Sequence, residues 1–116
     1  MKYLVTDKDF FTVFKKLGLI LLKIEALTET RFCHEVSDAN LVNLIDNYEF
    51  NEFINKLCRT SIDKPPYLYH IGENDDIIVV KVLTKIPYNA LTEEDLIELN
   101  KEKLIEYYKI EYRQLW

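Results

Sequence analysis

The sequence is poor in glycine, since only Gly18 and Gly72 occur among its 116 residues. Glycine lets a backbone approach a nucleotide phosphate closely, so a glycine-rich phosphate loop is not expected here. Long apolar runs are also missing. The stretch LGLILLKIEAL is interrupted by Lys23 and Glu25 and falls short of the about 18 residues that a membrane span needs. The sequence therefore predicts neither a nucleotide loop nor a transmembrane helix.

Positive charge is in deficit: 15 Lys and Arg face 20 Asp and Glu, a net charge of -5. A duplex DNA binder needs a concentrated positive face. The nearest basic group, Lys15-Lys16 with Lys23, has acidic residues around it. Nucleic-acid binding is therefore not favoured. The start, MKYLVTDKDF, has an acidic residue where a signal peptide has its apolar core, so we expect an intracellular protein.

Cysteine and histidine are scarce. Cys33 and Cys58 lack the spacing of metal ligands, so neither a metal nor a cofactor is predicted. In an ordinary cytosol we expect two buried thiols, whereas in a hyperthermophile Cys33 and Cys58 could form an intracellular disulfide. His34 and His70 have no nucleophile pattern around them, and we expect packed or surface residues rather than a catalytic triad.

What is present suits one packed domain over residues 1–116, because 48% of the residues are hydrophobic and 30% charged. Apolar periodicity predicts strands and helices in alternation. The strand candidates are residues 2–5, 19–27, 67–71, 76–84 and 104–112. The helix candidates are a segment from Phe10 to Leu17, a short helix after Thr28, one after Asn47 and one after Thr92. The fold class predicted is α/β, a mixed sheet of about five strands flanked by helices.

The stretch LVNLIDNYEFNEFINKLC, residues 41–58, has the apolar spacing of a helix but is broken at Asp46-Asn47. Asn47 is suited to cap the helix that follows, which is the structural interpretation. The functional interpretation is a helix N-terminus that binds an anion such as phosphate. The acidic Asp46 and Glu49 work against that second interpretation.

The run DIIVVKVLT, residues 76–84, is the strongest strand candidate, and its unbroken apolar centre predicts a central strand covered on both faces. Its expected hairpin partner is Tyr67-Leu68-Tyr69, across the turn GENDD. Lys85 follows the strand, where it either meets an anion or is a solvated lysine.

The order of the elements and several strings resemble the viral ring nucleases, small anti-CRISPR proteins of archaeal viruses. The strings are YLVTDKDFFTVF, RFC, LVNLIDNYEFNEFINKLCRT, DDIIVVKVLTK, LTEEDLIEL and IEYYKIEY. The resemblance covers nearly the whole chain in the right order. It implies a two-fold dimer that binds cyclic tetra-adenylate, with a histidine at a helix start and a glutamate in a later turn acting in cleavage.

The departures from that pattern bear on function. The family's glycine-histidine pair falls on Asp46-Asn47, and asparagine has no group that titrates near neutral pH. The family's arginine-glutamate turn falls on KIPYNA, residues 85–90, where Lys85 keeps the charge and the glutamate is replaced near Pro87 or Tyr88. The resemblance thus places the ligand-binding positions at Asp46, Asn47, Lys85 and Tyr88, with no catalytic residue assigned.

The resulting hypothesis is a small viral anti-defence protein that has lost cleavage, in the cytoplasm of an infected cell. It would bind a host defence protein or cyclic oligoadenylate. The alternatives are a residual cyclic oligoadenylate nuclease and a nucleic-acid-binding regulator using Lys15, Lys16, Lys23 and Arg31. The apolar C-terminal residues suggest either a dimer interface or burial by the chain's own helices; they are Tyr107, Tyr108, Tyr112, Leu115 and Trp116.

Overall fold

Five strands build the sheet in a computed structural model that describes residues 2–9, 20–62 and 75–114. They are β1 (Lys2–Thr6), β2 (Ile20–Leu27), β3 (Leu41–Asn43), β4 (Asp76–Val82) and β5 (Ile105–Gln114). Their order across the sheet is β2-β5-β4-β1-β3. β1 is parallel to β3 and β4, whereas β5 is antiparallel to β4 and β2. The predicted mixed sheet of about five strands in a single domain is confirmed.

In the described ranges, three α-helices with both ends defined accompany the sheet: α1 (Glu29–Val36), α2 (Tyr48–Cys58) and α3 (Glu93–Lys101). A 3-10 turn, Tyr88–Ala90, precedes α3. Each α-helix begins at a side-chain cap, provided by Thr28, Asn47 and Thr92 in turn. These caps satisfy backbone N–H groups that the first helical turn leaves without partners, which is why polar residues stand there. Within the residues that the structure describes, no helix is long and apolar enough to cross a membrane.

The core lies between one face of the sheet and the helices. Side chains alternate between the two faces along a strand, so Leu4, Ile78 and Val80 share the helix-covered face. Phe32, Phe50, Ile54 and Leu96 pack onto them from the helices and are almost completely buried. On the opposite face, Tyr3, Val5, Ile77 and Val79 are buried as well. The prediction that β4 is a central strand covered on both faces is confirmed.

One local prediction is wrong. Residues 41–45 do not form a helical segment: Leu41–Asn43 is a strand that pairs in parallel with Lys2–Leu4 of β1. A short apolar run is compatible with both the helical and the strand periodicity, and here the pairing with β1 makes it a strand.

Other expectations fall on parts of the chain that the structure does not describe. The helix predicted from Phe10 to Leu17 lies outside the described residues, although residues 7–9 are helical. The hairpin partner predicted for β4, Tyr67-Leu68-Tyr69, also lies outside them. β4 itself pairs with β1 along one edge and with β5 along the other.

The C-terminal strand divides its tyrosines between the two faces of the sheet. Tyr107 is buried, stacks on Phe32 with ring centroids 4.2 Å apart, and donates a hydrogen bond to Asn100 Oδ1 at 2.8 Å. Tyr108 points to the other face and is half-buried. Burial by the chain's own helices therefore accounts for Tyr107. The side chains of Tyr112, Leu115 and Trp116 lie outside the described part of the chain.

Candidate functional site

A cleft of about 260 Å³ opens at the carboxyl ends of the parallel strands. Because β1, β3 and β4 run in the same direction, their carboxyl ends meet at one edge of the sheet, where open α/β sheets bind ligands. The residues after β1, the residues after β3 and the 3-10 turn contribute its walls. The lining residues are Thr6, Lys8, Asp9, Ile45, Asp46, Asn47, Phe50, Tyr88 and Asn89. Three of the four residues predicted as ligand-binding thus meet in one place.

Asn47 caps α2 with its side-chain amide. Its Oδ1 accepts a hydrogen bond from the backbone N–H of Phe50 at 3.1 Å, and its Nδ2 donates to the carbonyl of Tyr88 at 3.4 Å. The amide therefore fixes both the start of α2 and the position of the 3-10 turn. Both of its ends are used inside the chain, as the structural interpretation of Asn47 predicts.

Tyr88 joins three segments around the cleft. Its hydroxyl donates to Asp7 Oδ1 at 2.5 Å and accepts from the backbone N–H of Val82 at 2.9 Å. Its ring packs against Phe50, with centroids 5.2 Å apart, and the Lys8 Nζ lies 5.4 Å from its centre. Burial and the hydrogen bond to Asp7 raise the pKa of Tyr88 well above its ordinary value. The hydroxyl is therefore protonated at neutral pH and cannot act as a general base.

The charges of the cleft are mainly negative. Among the residues that the structure describes, Asp9, Asp46 and one cation, Lys8, line it, and Asp7 lies beside Tyr88. Asp9 accepts a hydrogen bond from Thr6 Oγ1 at 3.3 Å. The N-terminus of α2 favours an anion, but the carboxylates near it oppose one. The arrangement suits a cationic group better than a phosphodiester.

Lys85 is placed differently from the other predicted residues. It lies in the bend after β4, is exposed, and does not line the cleft. Its neighbours in the same loop include Leu83, 40% exposed, and Ile86, 47% exposed. Tyr48, the first residue of α2, is 72% exposed. The sequence did not predict that these three apolar side chains are exposed. Their exposure depends on how the loop after β4 and the start of α2 are folded.

A second cleft of about 390 Å³ lies elsewhere, between the ends of α1 and α3 and the start of β5. Asn100 is hydrogen-bonded to two other residues of its lining: its Nδ2 donates to Glu29 Oε1 at 2.9 Å, and its Oδ1 accepts from the hydroxyl of Tyr107. Although it is larger, it contains none of the predicted ligand-binding residues. We therefore take the cleft at the carboxyl ends as the candidate site.

Neither cysteine is free. Cys33 of α1 and Cys58 of α2 form a disulfide, the alternative expected for a protein of a hyperthermophile. His34 is exposed on α1, and His70 lies outside the described residues. Among the described residues no group of His, Cys, Asp and Glu could hold a metal ion.

The fold is that of a single α/β domain with a mixed five-stranded sheet and an acidic cleft at the carboxyl ends of its parallel strands. Among solved structures, it is similar to B116 of Sulfolobus turreted icosahedral virus. The TM-score is 0.69 at 18% sequence identity, and the match covers 95% of this chain and 97% of that chain. At this identity the likeness shows the fold. No protein-family model and no curated protein matches the sequence.

Proposed function

We propose that this chain is a small viral anti-defence protein that binds a host defence protein without cleaving a cyclic oligonucleotide. Support for a viral origin comes from the fold, which a protein of an archaeal virus shares over 95% of this chain. The observation that carries the proposal is that an asparagine, Asn47, stands where a cleaving enzyme would need a titrating side chain. It occupies the position of the catalytic histidine in the ring nucleases that the sequence resembles, and its amide is bonded at both ends within the chain.

The residues at the positions that the resemblance assigns to the ligand do not reproduce the histidine and glutamate of those nucleases. Asn47 does not titrate near neutral pH, so it can neither accept nor donate a proton in the reaction. Tyr88 is held protonated by burial and by Asp7. Lys85 lies outside the cleft. These three placements support binding rather than residual nuclease activity.

The charge of the cleft favours a basic partner over a cyclic oligoadenylate. Every phosphodiester of a cyclic oligoadenylate is an anion, whereas Asp9 and Asp46 outnumber Lys8 in the lining. The whole chain carries a net charge of -5. A basic protein, such as an RNA-binding subunit of a defence complex, has the complementary charge. The partner would be met in the cytoplasm of the infected cell.

Exposed apolar side chains near the cleft support a protein partner. Tyr48, Leu83 and Ile86 lie on the helix start and the loop that the Asn47–Tyr88 hydrogen bond connects. Interfaces are enriched in such residues at their centres. The nucleic-acid alternative finds less support: Arg31 lies 3.8 Å from Glu35 and 4.0 Å from Glu25. The other basic residues proposed for it include Lys15 and Lys16, which lie outside the described residues.

The first test is to incubate the purified protein with radiolabelled cyclic tetra-adenylate and to measure binding and cleavage together. We expect neither. Asn47→His restores the titrating group but not the rest of the site, and we expect it to remain inactive. Cleavage by the native chain would overturn the proposal. Tight binding without cleavage would replace the protein partner with the cyclic nucleotide.

The second test measures binding to a purified RNA-guided effector complex from a Sulfolobus host. We expect a complex that weakens as salt is added, because opposite charges steer it. Asp46→Lys should weaken it about tenfold or more, by placing a cation where the basic partner docks. Glu102→Lys, at the far end of α3, changes the net charge equally and should leave binding nearly unchanged. Equal losses in the two variants would show that only net charge matters and that the cleft is not the docking site.

A further inference from the structure

The start of β5 extends beyond the end of β2. β2 pairs with β5 as far as Leu27, which lies opposite Tyr107. β5 begins earlier, at Ile105, whereas the chain after Leu27 turns away into the cap of α1. The second cleft, of about 390 Å³, lies at this step, and Leu27, Ile105 and Tyr107 are among its lining residues. The side of Ile105 that β2 does not reach therefore faces open space.

The main-chain groups of Ile105 point to that side. The backbone N–H of Leu83, next to β4, donates to the carbonyl of Leu104 at 2.7 Å, so the main-chain groups of Leu104 face β4. These groups alternate between the two neighbours of a strand, which turns the N–H and C=O of Ile105 toward the β2 side. No described residue supplies a hydrogen bond to either group there. Ile105 is only 6% exposed, and because buried main-chain groups are nearly always paired, this donor and acceptor call for a partner.

A carboxylate is held in the same cleft. Glu29, the first residue of α1, accepts a hydrogen bond on Oε1 from Asn100 Nδ2 at 2.9 Å. An ionised carboxylate only accepts, so Nδ2 faces Glu29 and Oδ1 faces the hydroxyl of Tyr107, which donates to it at 2.8 Å. Burial and the charge of Glu29 raise the pKa of Tyr107, which keeps that hydroxyl a donor. These bonds fix the position of Glu29, and no salt bridge joins it to another described residue.

We infer that this cleft binds the free amino terminus of an extended peptide from a partner protein. The first residue of the peptide lies opposite Ile105, where β2 would continue, and exchanges both main-chain hydrogen bonds with it. Its α-ammonium group lies beside Glu29, which neutralises it. The inference concerns a different cleft from that of the proposed function and holds whether or not that function does.

The end of β2 determines which end of a peptide fits. A peptide antiparallel to β5 runs in the direction of β2, so its amino end points at Leu27 and its other end leads away past Lys103. Leu27 already occupies the place opposite Tyr107, so an internal segment of a chain has no room to continue. The reverse direction would bring a carboxyl terminus toward Glu29, which has the same charge. Only an amino terminus matches both the space and the charge.

Fluorescence anisotropy with two peptides tests the inference. The probe is Ala-Ala-Val-Ser-Gly-Lys-amide, labelled on its lysine side chain, with its amino terminus either free or acetylated. The free peptide should bind about tenfold more tightly or better, because acetylation removes the positive charge and adds bulk toward Leu27. Glu29→Gln keeps an acceptor for Asn100 and should lower the affinity for the free peptide to that for the acetylated one. Glu94→Gln, exposed in the first turn of α3, is the matched control and should change neither affinity.

Amide resonances test the main-chain pairing separately. In isotope-labelled protein, the free peptide should shift the amide resonance of Ile105 and slow its hydrogen exchange about tenfold or more. The amide of Leu83, already bonded to Leu104, should change little. Equal affinity for the two peptides overturns the inference, and so does a free peptide that shows no saturable binding up to about 1 mM. An unchanged Ile105 amide in the complex, or a folded Glu29→Gln protein that binds like the native chain, overturns it as well.

Discussion

Charged side chains gather at both ends of the parallel strands, and the two groups differ in how their charges are matched. At the amino ends, Lys2 Nζ lies 2.5 Å from Glu35 Oε2, and Lys109 Nζ lies 3.4 Å from Glu35 Oε1. The Glu35 side chain is only 5% exposed. At the carboxyl ends, Asp9, Asp46 and Lys8 line an open cleft. Asp38, 3.0 Å from Lys2 Nζ, and Asp76, 3.7 Å from Lys109 Nζ, complete the first group, a closed region whose charges pair with one another, whereas the second group, the open region, lies in an open cleft.

The comparison separates charges that are buried and paired within the chain from charges that line an open cleft. A buried carboxylate must be compensated within the chain, because burial penalises an unpaired charge severely. Burial raises the pKa of Glu35, but the hydrogen bond from Lys2 and the charges of Lys109 and Lys2 outweigh it, and the net pKa is lowered. An open cleft carries no such requirement, because solvent reaches its carboxylates.

The disulfide connects these two regions, since Cys33 is on the helix of Glu35 and Cys58 ends the helix that Asn47 caps. Its loss should therefore have the largest effect. The bond closes a loop with a sequence separation of 25 residues, for which the chain-entropy model gives about 3.5 kcal/mol. Cys33→Ser with Cys58→Ser should lower the free energy of unfolding in urea by about that amount. Reductant should do the same to the native protein and nothing to the double variant.

Removing Glu35 breaks the closed region alone. Glu35→Ala leaves Lys2 and Lys109 without their shared carboxylate, and we expect the free energy of unfolding to fall by about 3 kcal/mol. The matched control is Glu98→Ala, which removes a carboxylate from an exposed pair with Lys101 and should cost about 0.5 kcal/mol or less. Equal costs in urea unfolding would mean that the closed region is no more structural than the surface.

Acid should weaken the closed region in a way that depends on Glu35. Because its folded-state pKa lies below the ordinary value of 4.5, Glu35 stabilises the fold fully above that pH. The contribution is lost as the pH falls through the folded-state pKa. Unfolding free energies measured from pH 6 downward should therefore drop less steeply in Glu35→Gln than in the native chain. Parallel curves for the two proteins would show that another group causes the acid loss.

The smallest effect is expected at the open region. Asn47→Ala removes the cap of α2 and should cost about 1 kcal/mol, whereas Asn47→Asp keeps an oxygen acceptor for the N–H of Phe50 and should cost less. Thermal unfolding of the two variants measures the difference. If aspartate proves as costly as alanine, the hydrogen bond from Nδ2 to the carbonyl of Tyr88 contributes more to stability than the cap.

Local patterns in the sequence determined most of the elements. The unbroken apolar centre of residues 76–84 predicted β4, and the caps at Thr28, Asn47 and Thr92 predicted the starts of α1, α2 and α3. These signals are local because a strand's side-chain alternation and a helix's first turn depend on adjacent residues. The resemblance to ring nucleases predicted that Asp46, Asn47 and Tyr88 belong to one site, and all three line the cleft.

Only the tertiary structure decided what depends on contacts distant in sequence. Leu41–Asn43 became a strand because β1 lies beside it. The bend after β4 places Lys85 outside the cleft. Tyr88 forms a hydrogen bond with Asp7, which lies 81 positions away in the sequence. Glutamate is a residue type that usually lies at the protein surface. Glu35 is buried because Lys2 and Lys109, from two different strands, supply the charges that make its burial possible.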